Sequence, residues 1–410
     1  TRTTAENLVS TELQSFYKSH GIDNIESLLD ENVATTRFIR LNPRFDKDKT
    51  LACIPDAKSI PWLEEEFGFY SIPSSIRLNE MEYFHSGKVY GMDVSSGAAV
   101  AVLLTNQYDK DDGKRHENQQ QNQQHGTSFA NERILDLCCA PGLKLCMIAD
   151  MIPVNEASGV TLVGVDVSER RMSLCKKIVR KYHIHPKTSG REFMKTNTPH
   201  IQLYCEDGTL FGAKPGNLIF DSVLTTEEEP TITSRKRLNK SARAREQKRL
   251  KCINSSSECE LPVMGLFDRI LVDAECSTDG SLKHMLESLR KKNQNESLSN
   301  QRLTDQSHLK ELLKLQRGLA GSGFRLLRPG GVMVYSTCSI SHSQNEDVVQ
   351  WLLGIEKDAF LIPLKFPNHA FISEGKLEGT VRFKPSCTEE FSGGGFFVAK
   401  IGKKGSIVSS

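Results

Sequence analysis

From residue 133 onward, short apolar runs rich in β-branched residues alternate with longer stretches of helical periodicity, and no other feature constrains the fold as much. Residues 133–138 read as a strand, 143–151 as a helix, 161–167 as a strand, 169–182 as a helix and 201–205 as a strand. Residues 267–274 make the next strand and 308–327 a long helix, which the Arg328-Pro329-Gly330-Gly331 stretch forbids from continuing. An apolar strand through Val332, Met333, Val334 and Tyr335 then runs into Ser336-Thr337-Cys338-Ser339. Ser343-x-x-Glu346 reads as a capping box for a helix through Val348, Val349, Trp351 and Leu352, and residues 395–401 form a final strand. Strands joined by helices over about 270 residues predict one doubly wound, mostly parallel sheet of Rossmann-like α/β class.

A chain of 410 residues exceeds one typical domain, so a smaller unit at 1–105 is expected beside the core domain at 132–402. In that smaller unit, Phe38, Ile39 and Leu41 are strand candidates, with Arg37 and Arg40 spaced to reach solvent or a phosphate. Asp93-Val94-Ser95-Ser96-Gly97 opens an apolar helical run, as a cap or as an anion-holding N-terminus. Between the units, 106–131 holds a tract of only Asn and Gln at 118–124, which cannot pack a core and is expected to be disordered. Polar insertions at 225–262 and 290–305 interrupt the core domain. The first carries a strongly basic run at 234–251, which suits an import signal, an RNA-contacting arm or a solvated loop.

With 53 basic and 51 acidic groups the chain is not a polycation, so any nucleic-acid surface must be a local patch. Eleven cysteines, an odd number with no CxxC pair and no apolar leader, predict free thiols in a reducing compartment. None has zinc-ligand spacing, so no metal is expected. No apolar run approaches the ~20 residues of a membrane span.

The chemistry-bearing residues fall at the carboxyl ends of the predicted strands, where open α/β sheets bind ligands. Leu135-Asp136-Leu137-Cys138-Cys139-Ala140-Pro141-Gly142-Leu143-Lys144 forms the first strand-to-helix turn, with Gly142 permitting close approach of the backbone to a ligand. The turn lacks both GxGxxG and GxxxxGK[ST], so an adenosyl ligand without a phosphate chain fits better than a dinucleotide or a nucleoside triphosphate. Asp166 ends the second strand, where a carboxylate accepts from a ribose, and Asp207 ends the third, within reach of an adenine amino group; each also suits a helix cap. Asp273 and Cys276 close the fourth strand and Cys338 the fifth, which predicts a crevice holding two thiols and a carboxylate.

Together these motifs resemble the NOL/NOP/Sun group of S-adenosylmethionine-dependent RNA cytosine-5 methyltransferases, over residues 38–400 apart from the polar insertions. Cys138-x-Ala140-Pro141-Gly142-x-Lys144 is similar to the cofactor motif, Asp166 with Arg171 to the second and Asp207 to the third. Asp273-Ala274-Glu275-Cys276 resembles Asp-x-Pro-Cys, and Ser336-Thr337-Cys338 the Ser-Thr-Cys motif. Gly395 to Lys400 is similar to the closing strand, and Arg40-Leu41-Asn42 and Asp93 to Ser96 to the N-terminal signatures.

The resemblance implies a class I methyltransferase fold with a seven-stranded sheet, 1–105 as an RNA-positioning α+β unit and 132–402 as the catalytic domain. S-adenosyl-L-methionine would be held by Cys138, Cys139, Ala140, Pro141, Gly142, Leu143, Lys144, Asp166, Arg171, Asp207 and Asp273. Cys338 would attack carbon 6 of cytosine, Cys276 would assist the elimination that frees it, Asp273 would hydrogen-bond the base, and Lys144 would hold Asp273 or lower a thiol pKa.

Three departures stand out: Glu275 replaces a proline, Leu143 a common glycine, and Gly394 a common acid. The implied partner is RNA, tRNA ahead of rRNA, with a monomer expected and a protein partner left open. The compartment would be nucleus, nucleolus or cytoplasm, or an organelle, whose branch of the family Cys276 to Gly280 is more like. An RNA-binding scaffold of ribosome assembly is the alternative, against which stand the two retained cysteines. A DNA cytosine methyltransferase would take its nucleophile from a Pro-Cys motif at the fourth strand, and a small-molecule methyltransferase leaves the thiols unexplained.

Overall fold

The computed structural model of the chain describes residues 9–23, 25–29, 36–60, 62–63, 67–106, 128–183, 198–212, 216–223, 267–282, 284–286, 305–388 and 391–405. The Asn/Gln tract, the basic run and residues 290–304 of the second insertion lie outside the described residues.

Helix α1 (Thr11–Ser19) begins at Ser10, whose hydroxyl accepts from the Leu13 N–H, and buries Leu13 and Tyr17. A short α2 (Ile25–Leu28) follows. Strand β1 (Thr36–Leu41), helix α3 (Lys47–Leu51), strands β2 (Lys58–Ser59) and β3 (Phe69–Pro73), helix α4 (Glu82–His85) and strand β4 (Val89–Gly91) complete the N-terminal unit. Its strands form an antiparallel sheet in the order β2-β3-β1-β4. From Phe38 to Leu41, β1 is buried on both faces, so Arg40 does not reach solvent or a phosphate as its spacing suggested. Its guanidinium, 1% exposed, pairs with Asp150 at 2.7 Å and donates to the Phe67 carbonyl, while Arg37 stays partly exposed.

Helix α5 (Val94–Leu104) is apolar all round, which only a fully buried helix tolerates. Ahead lies the large sheet, opened by β5 (Arg133–Asp136), α6 (Leu143–Met151), β6 (Thr161–Asp166), α7 (Glu169–His183), β7 (His200–Cys205), β8 (Leu218–Asp221) and β9 (Phe267–Asp273). Helix α8 (Gln306–Leu326), β10 (Leu327–Thr337), α9 (Glu346–Ile355), β11 (Ala359–Ile362), β12 (Ile372–Glu374), β13 (Val381–Phe383), a small ribbon of β14 (Ser386–Cys387) and β15 (Ser392–Gly393), and β16 (Phe396–Lys403) close the chain.

The sheet runs β12-β13-β16-β10-β9-β5-β6-β7-β8, with β11 also paired to β16. Its five central strands, β7, β6, β5, β9 and β10, are parallel, and helices cover both faces. The fold is the expected mostly parallel Rossmann-like α/β architecture, with the strand order reversing beside β5. Among the described residues ten strands take part rather than seven. Antiparallel β8, β11, β12 and β13 are too short to show a period against their polar surroundings.

Two local expectations also change. Helix α8 stops at Leu326, and the Arg328 to Gly331 stretch belongs to β10, where the register shifts between Leu327 and Val332 and Gly330 takes φ +77°. Ser343 lies in a 3-10 turn and caps nothing in α9, which begins after Asn345. Glu346 is drawn away by tertiary contacts, pairing with Arg382 and accepting from the Lys376 N–H at 3.0 Å.

Candidate active site

The turn between β5 and α6 stands where the strand order reverses, so the crevice opens above it. Ala140-Pro141 is a cis peptide, and Gly142 takes φ +109° as the N-cap of α6. A Cβ at Gly142 would lie 2.8 Å from the Cys175 sulfur, so both conformation and space require glycine. Above the turn is a cavity of about 190 Å³ lined by Asp136, Cys138, Cys139, Ala140, Pro141, Leu143, Lys144 and Asp273, with Gly91, Met92, Asp93 and Ser96 of the N-terminal unit across from them.

Lys144, in the first turn of α6, places Nζ 2.7 Å from Asp273 Oδ2. The Ser336 hydroxyl, from the neighbouring strand β10, donates to Asp273 Oδ1 at 2.7 Å. Parallel pairing of β9 and β10 sets Ser336 opposite Asp273, so register alone creates this contact. Burial works to lower the Lys144 pKa, but the Asp273 carboxylate outweighs it and holds the ammonium above its ordinary value.

Asp136, at the end of β5, is a site residue that the motif reading passed over. Its two carboxyl oxygens are buried at the cavity with no hydrogen-bond partner. Burial, reinforced by the Asp273 charge and opposed by Lys144, pushes its carboxyl up to about 7. An unpartnered buried carboxylate is costly, and a cationic ligand group would relieve it. The available signal was position: Asp136 ends its strand as Asp166 and Asp273 end theirs.

Beside Asp273 lie the thiols. Cys276 and Cys338, 62 residues apart, bring their sulfurs to 3.1 Å, with Cys276 buried and Cys338 partly exposed. The contact with Cys338, and then burial, push the Cys276 thiol well up, so it keeps its proton at neutral pH. The Lys144 ammonium lies within electrostatic range of the Cys338 sulfur. Glu275, in the place of the proline of the resembled motif, is exposed, and its carbonyl accepts from the Gln316 amide N–H at 2.8 Å. Gly394 stands where an acid is common because a Cβ there would lie 2.6 Å from the Gly280 carbonyl.

The remaining candidates are more dispersed. Asp166 is buried, accepting from the Ser168 N–H at 2.9 Å and pairing with Arg171 at 3.3 Å. Arg171 also donates to the Ala140 carbonyl, so it braces the Pro141 turn against Asp166 rather than lining the cavity. Cys139 faces the Met172 and Cys175 sulfurs. Asp207 is exposed and accepts from the Thr209 N–H and hydroxyl within a turn that opens no helix, so it caps none, and it stands apart from the cavity. Among the described residues, no group of His, Cys, Asp or Glu could hold a metal ion, and no helix is long and apolar enough to cross a membrane.

Residues 222–402 match the family model described as 16S rRNA methyltransferase RsmB/F. The chain is 36% identical over 146 residues to the ribosomal RNA small subunit methyltransferase F of Aeromonas salmonicida, and 33% over 142 residues to that of Klebsiella pneumoniae. Each match takes in 34% of this chain and 27% of the relative, so the likeness spans about a quarter of the curated relatives' length. Among solved structures, a methyltransferase homolog protein from Pyrococcus horikoshii superposes with TM-score 0.55 at 18% identity, covering 97% of this chain and 100% of that one. NSun6 from Pyrococcus horikoshii with SFG gives 0.59 at 14%, covering 97% and 99%. At such identities these two likenesses establish the shared fold.

Proposed function

We propose that this chain, whose residues 222–402 match the family model described as 16S rRNA methyltransferase RsmB/F, transfers a methyl group to carbon 5 of a cytosine in RNA through a covalent cysteine adduct. The observation that carries the reading is the 3.1 Å approach of Cys276 and Cys338 beside the Lys144–Asp273 pair. The names of the rRNA methyltransferase relatives support an RNA substrate, with rRNA and tRNA as the two classes to separate.

The crevice suits S-adenosylmethionine, whose sulfonium would supply the methyl group. Asp136 carries unpartnered carboxyl oxygens that suit its ammonium, and the Cys138 to Lys144 turn would pack against it. Asp166 and Asp207 would receive the nucleoside end beyond the cavity. The 190 Å³ enclosed there is below the ~300–1,000 Å³ of a whole small-molecule site, in keeping with one end being held.

Each remaining group then has a task. The Cys338 thiolate adds to carbon 6, turning the carbon 5 side of the ring into an enamine-like nucleophile. Asp273, fixed by Lys144 and Ser336, accepts from the exocyclic amine of the base, while the Lys144 ammonium beside it offsets the negative charge that addition of the thiolate places on the ring. After transfer, water takes the carbon 5 proton, the carbon 5–carbon 6 double bond re-forms as the carbon 6–sulfur bond breaks, and the protonated Cys276 thiol, in contact with the Cys338 sulfur, donates a hydrogen bond to the departing thiolate. Residues 1–105 would position the RNA and 132–402 perform the chemistry, with the chain acting as a monomer.

The test is transfer of labelled methyl from S-adenosylmethionine to tRNA and rRNA fractions by wild type and Cys338→Ala. Label on cytosine 5 in one fraction, lost in the variant, is the expected result. A wild type that binds the cofactor and labels neither fraction, or a Cys338→Ala variant that stays active, would overturn the reading and favour a scaffold role.

A further inference from the structure

The turn carrying Cys276 is held from three sides, and one carboxylate joins them. Asp279, fully buried, receives the Ser277 hydroxyl on one oxygen and the Ile340 N–H on the other at 2.8 Å. Its carbonyl accepts the hydroxyl of Tyr17, on α1, at 2.5 Å. The Gly280 N–H donates to the Cys338 carbonyl at 3.0 Å, and Gln344 both donates to the Ser277 hydroxyl and accepts from its N–H. Between them Thr278 sits at φ +57°, a conformation a β-branched residue adopts only where its surroundings impose it. A buried carboxylate with each oxygen occupied by a different loop is a two-point clasp.

We propose that Asp279 is a positioning residue that clasps the Cys276 turn to the strand end carrying Cys338, and so fixes the thiol separation for the step in which Cys338 leaves the base. The inference rests on the covalent reading above for its catalytic consequence, while the clasp itself is testable without RNA.

The probe for the clasp is diamide, which takes two electrons and two protons from a thiol pair, leaving a disulfide and the hydrazine. In the full chain, the Cys276–Cys338 disulfide should form at least about 10-fold more slowly in Asp279→Ala than in wild type, by mass spectrometry of digests. Asp279→Asn should restore the rate, because the amide oxygen accepts from Ile340 and the amide N–H donates to the Ser277 hydroxyl. In turnover, Asp279→Ala should lower kcat by about 10-fold or more, leave KM for RNA near wild type and accumulate protein–RNA adduct.

Wild-type cross-linking in Asp279→Ala would overturn the clasp. Equal losses in the Asn and Ala variants, with weakened RNA binding and no adduct, would overturn it in favour of a general structural role. Slowed cross-linking, with no adduct from Cys276→Ala, would uphold the clasp and overturn the covalent reading.

Discussion

Lys144 and Asp273 meet at 2.7 Å in the floor of the crevice, one from the first turn of α6 and the other from the end of β9. The pair concentrates charge where a base would lie, and Asp136 shares its field. Replacing Lys144 by Met should lower kcat by about 10²-fold, since a preorganised charge is worth that much in a water-poor site. Losing the cation that lowers the Asp136 pKa should also move its titration above about 7. A pH–rate profile of the variant checks both, and an unmoved profile would show that Lys144 is electrostatically idle.

Asp136 gives a pH-dependent prediction. Its folded-state pKa of about 7 exceeds its ordinary 3.8, so between those values the folded chain holds a proton that the unfolded chain releases. Stability from this group is therefore greatest below about 4, declines as pH rises towards 7, and is lost above it. Asp136→Asn, which cannot ionise, should melt higher than wild type at pH 8 and lose that advantage at pH 4. It should also bind S-adenosylmethionine more weakly, at least about 10-fold by calorimetry, if a charged carboxylate holds the ammonium.

The thiol contact separates the roles of its members. Cys276→Ala should leave attack by Cys338 intact and let a protein–RNA adduct accumulate, visible as a denaturation-resistant band, whereas Cys338→Ala should form none. An adduct in Cys338→Ala would reverse the assignment.

Gly280 is wedged between two backbones: a Cβ would lie 2.5 Å from the Cys338 carbonyl and 2.7 Å from that of Gly395. Backbone cannot rotate away as a side chain can. Gly280→Ala should cost about 1–3 kcal/mol or more in urea unfolding and slow turnover, because the shift passes directly into the Cys276 turn. A variant of wild-type stability would mean that the turn is more pliant than its packing suggests.

Between the N-terminal unit and the core, Arg40 and Tyr90 both reach Asp150 Oδ2 at 2.7 Å, with Arg44 at 3.4 Å from the other oxygen. Removing one member leaves buried charge uncompensated, so Asp150→Ala should destabilise by about 3–5 kcal/mol in urea unfolding. Little change would mean that water replaces the lost partner.

The positions of the candidate site residues were legible because strand ends and turns leave local marks. The alternation from residue 133 on gives helices and parallel strands, and the glycine-bearing turn after β5 follows from it. Arg40 was misread for the converse reason: an arginine in a short strand looks solvent-facing until a second layer covers it. The capping box at Ser343 failed because Glu346 found a stronger partner in Arg382, far along the chain.

The sequence by itself determined the fold class, the order of the motifs and the presence of two cysteines at successive strand ends. These depend on interactions a few residues apart, whose period survives in the letters. The shared crevice of Cys276, Cys338 and Asp273 was expected from the strand ends, but only the tertiary structure decided that the sulfurs approach to 3.1 Å, that Ser336 meets Asp273 and that Tyr17 meets Asp279. It also decided that Asp136 is buried without a partner. Burial and long-range pairing come from packing elements against one another, and no local pattern in a single chain encodes which surfaces will meet.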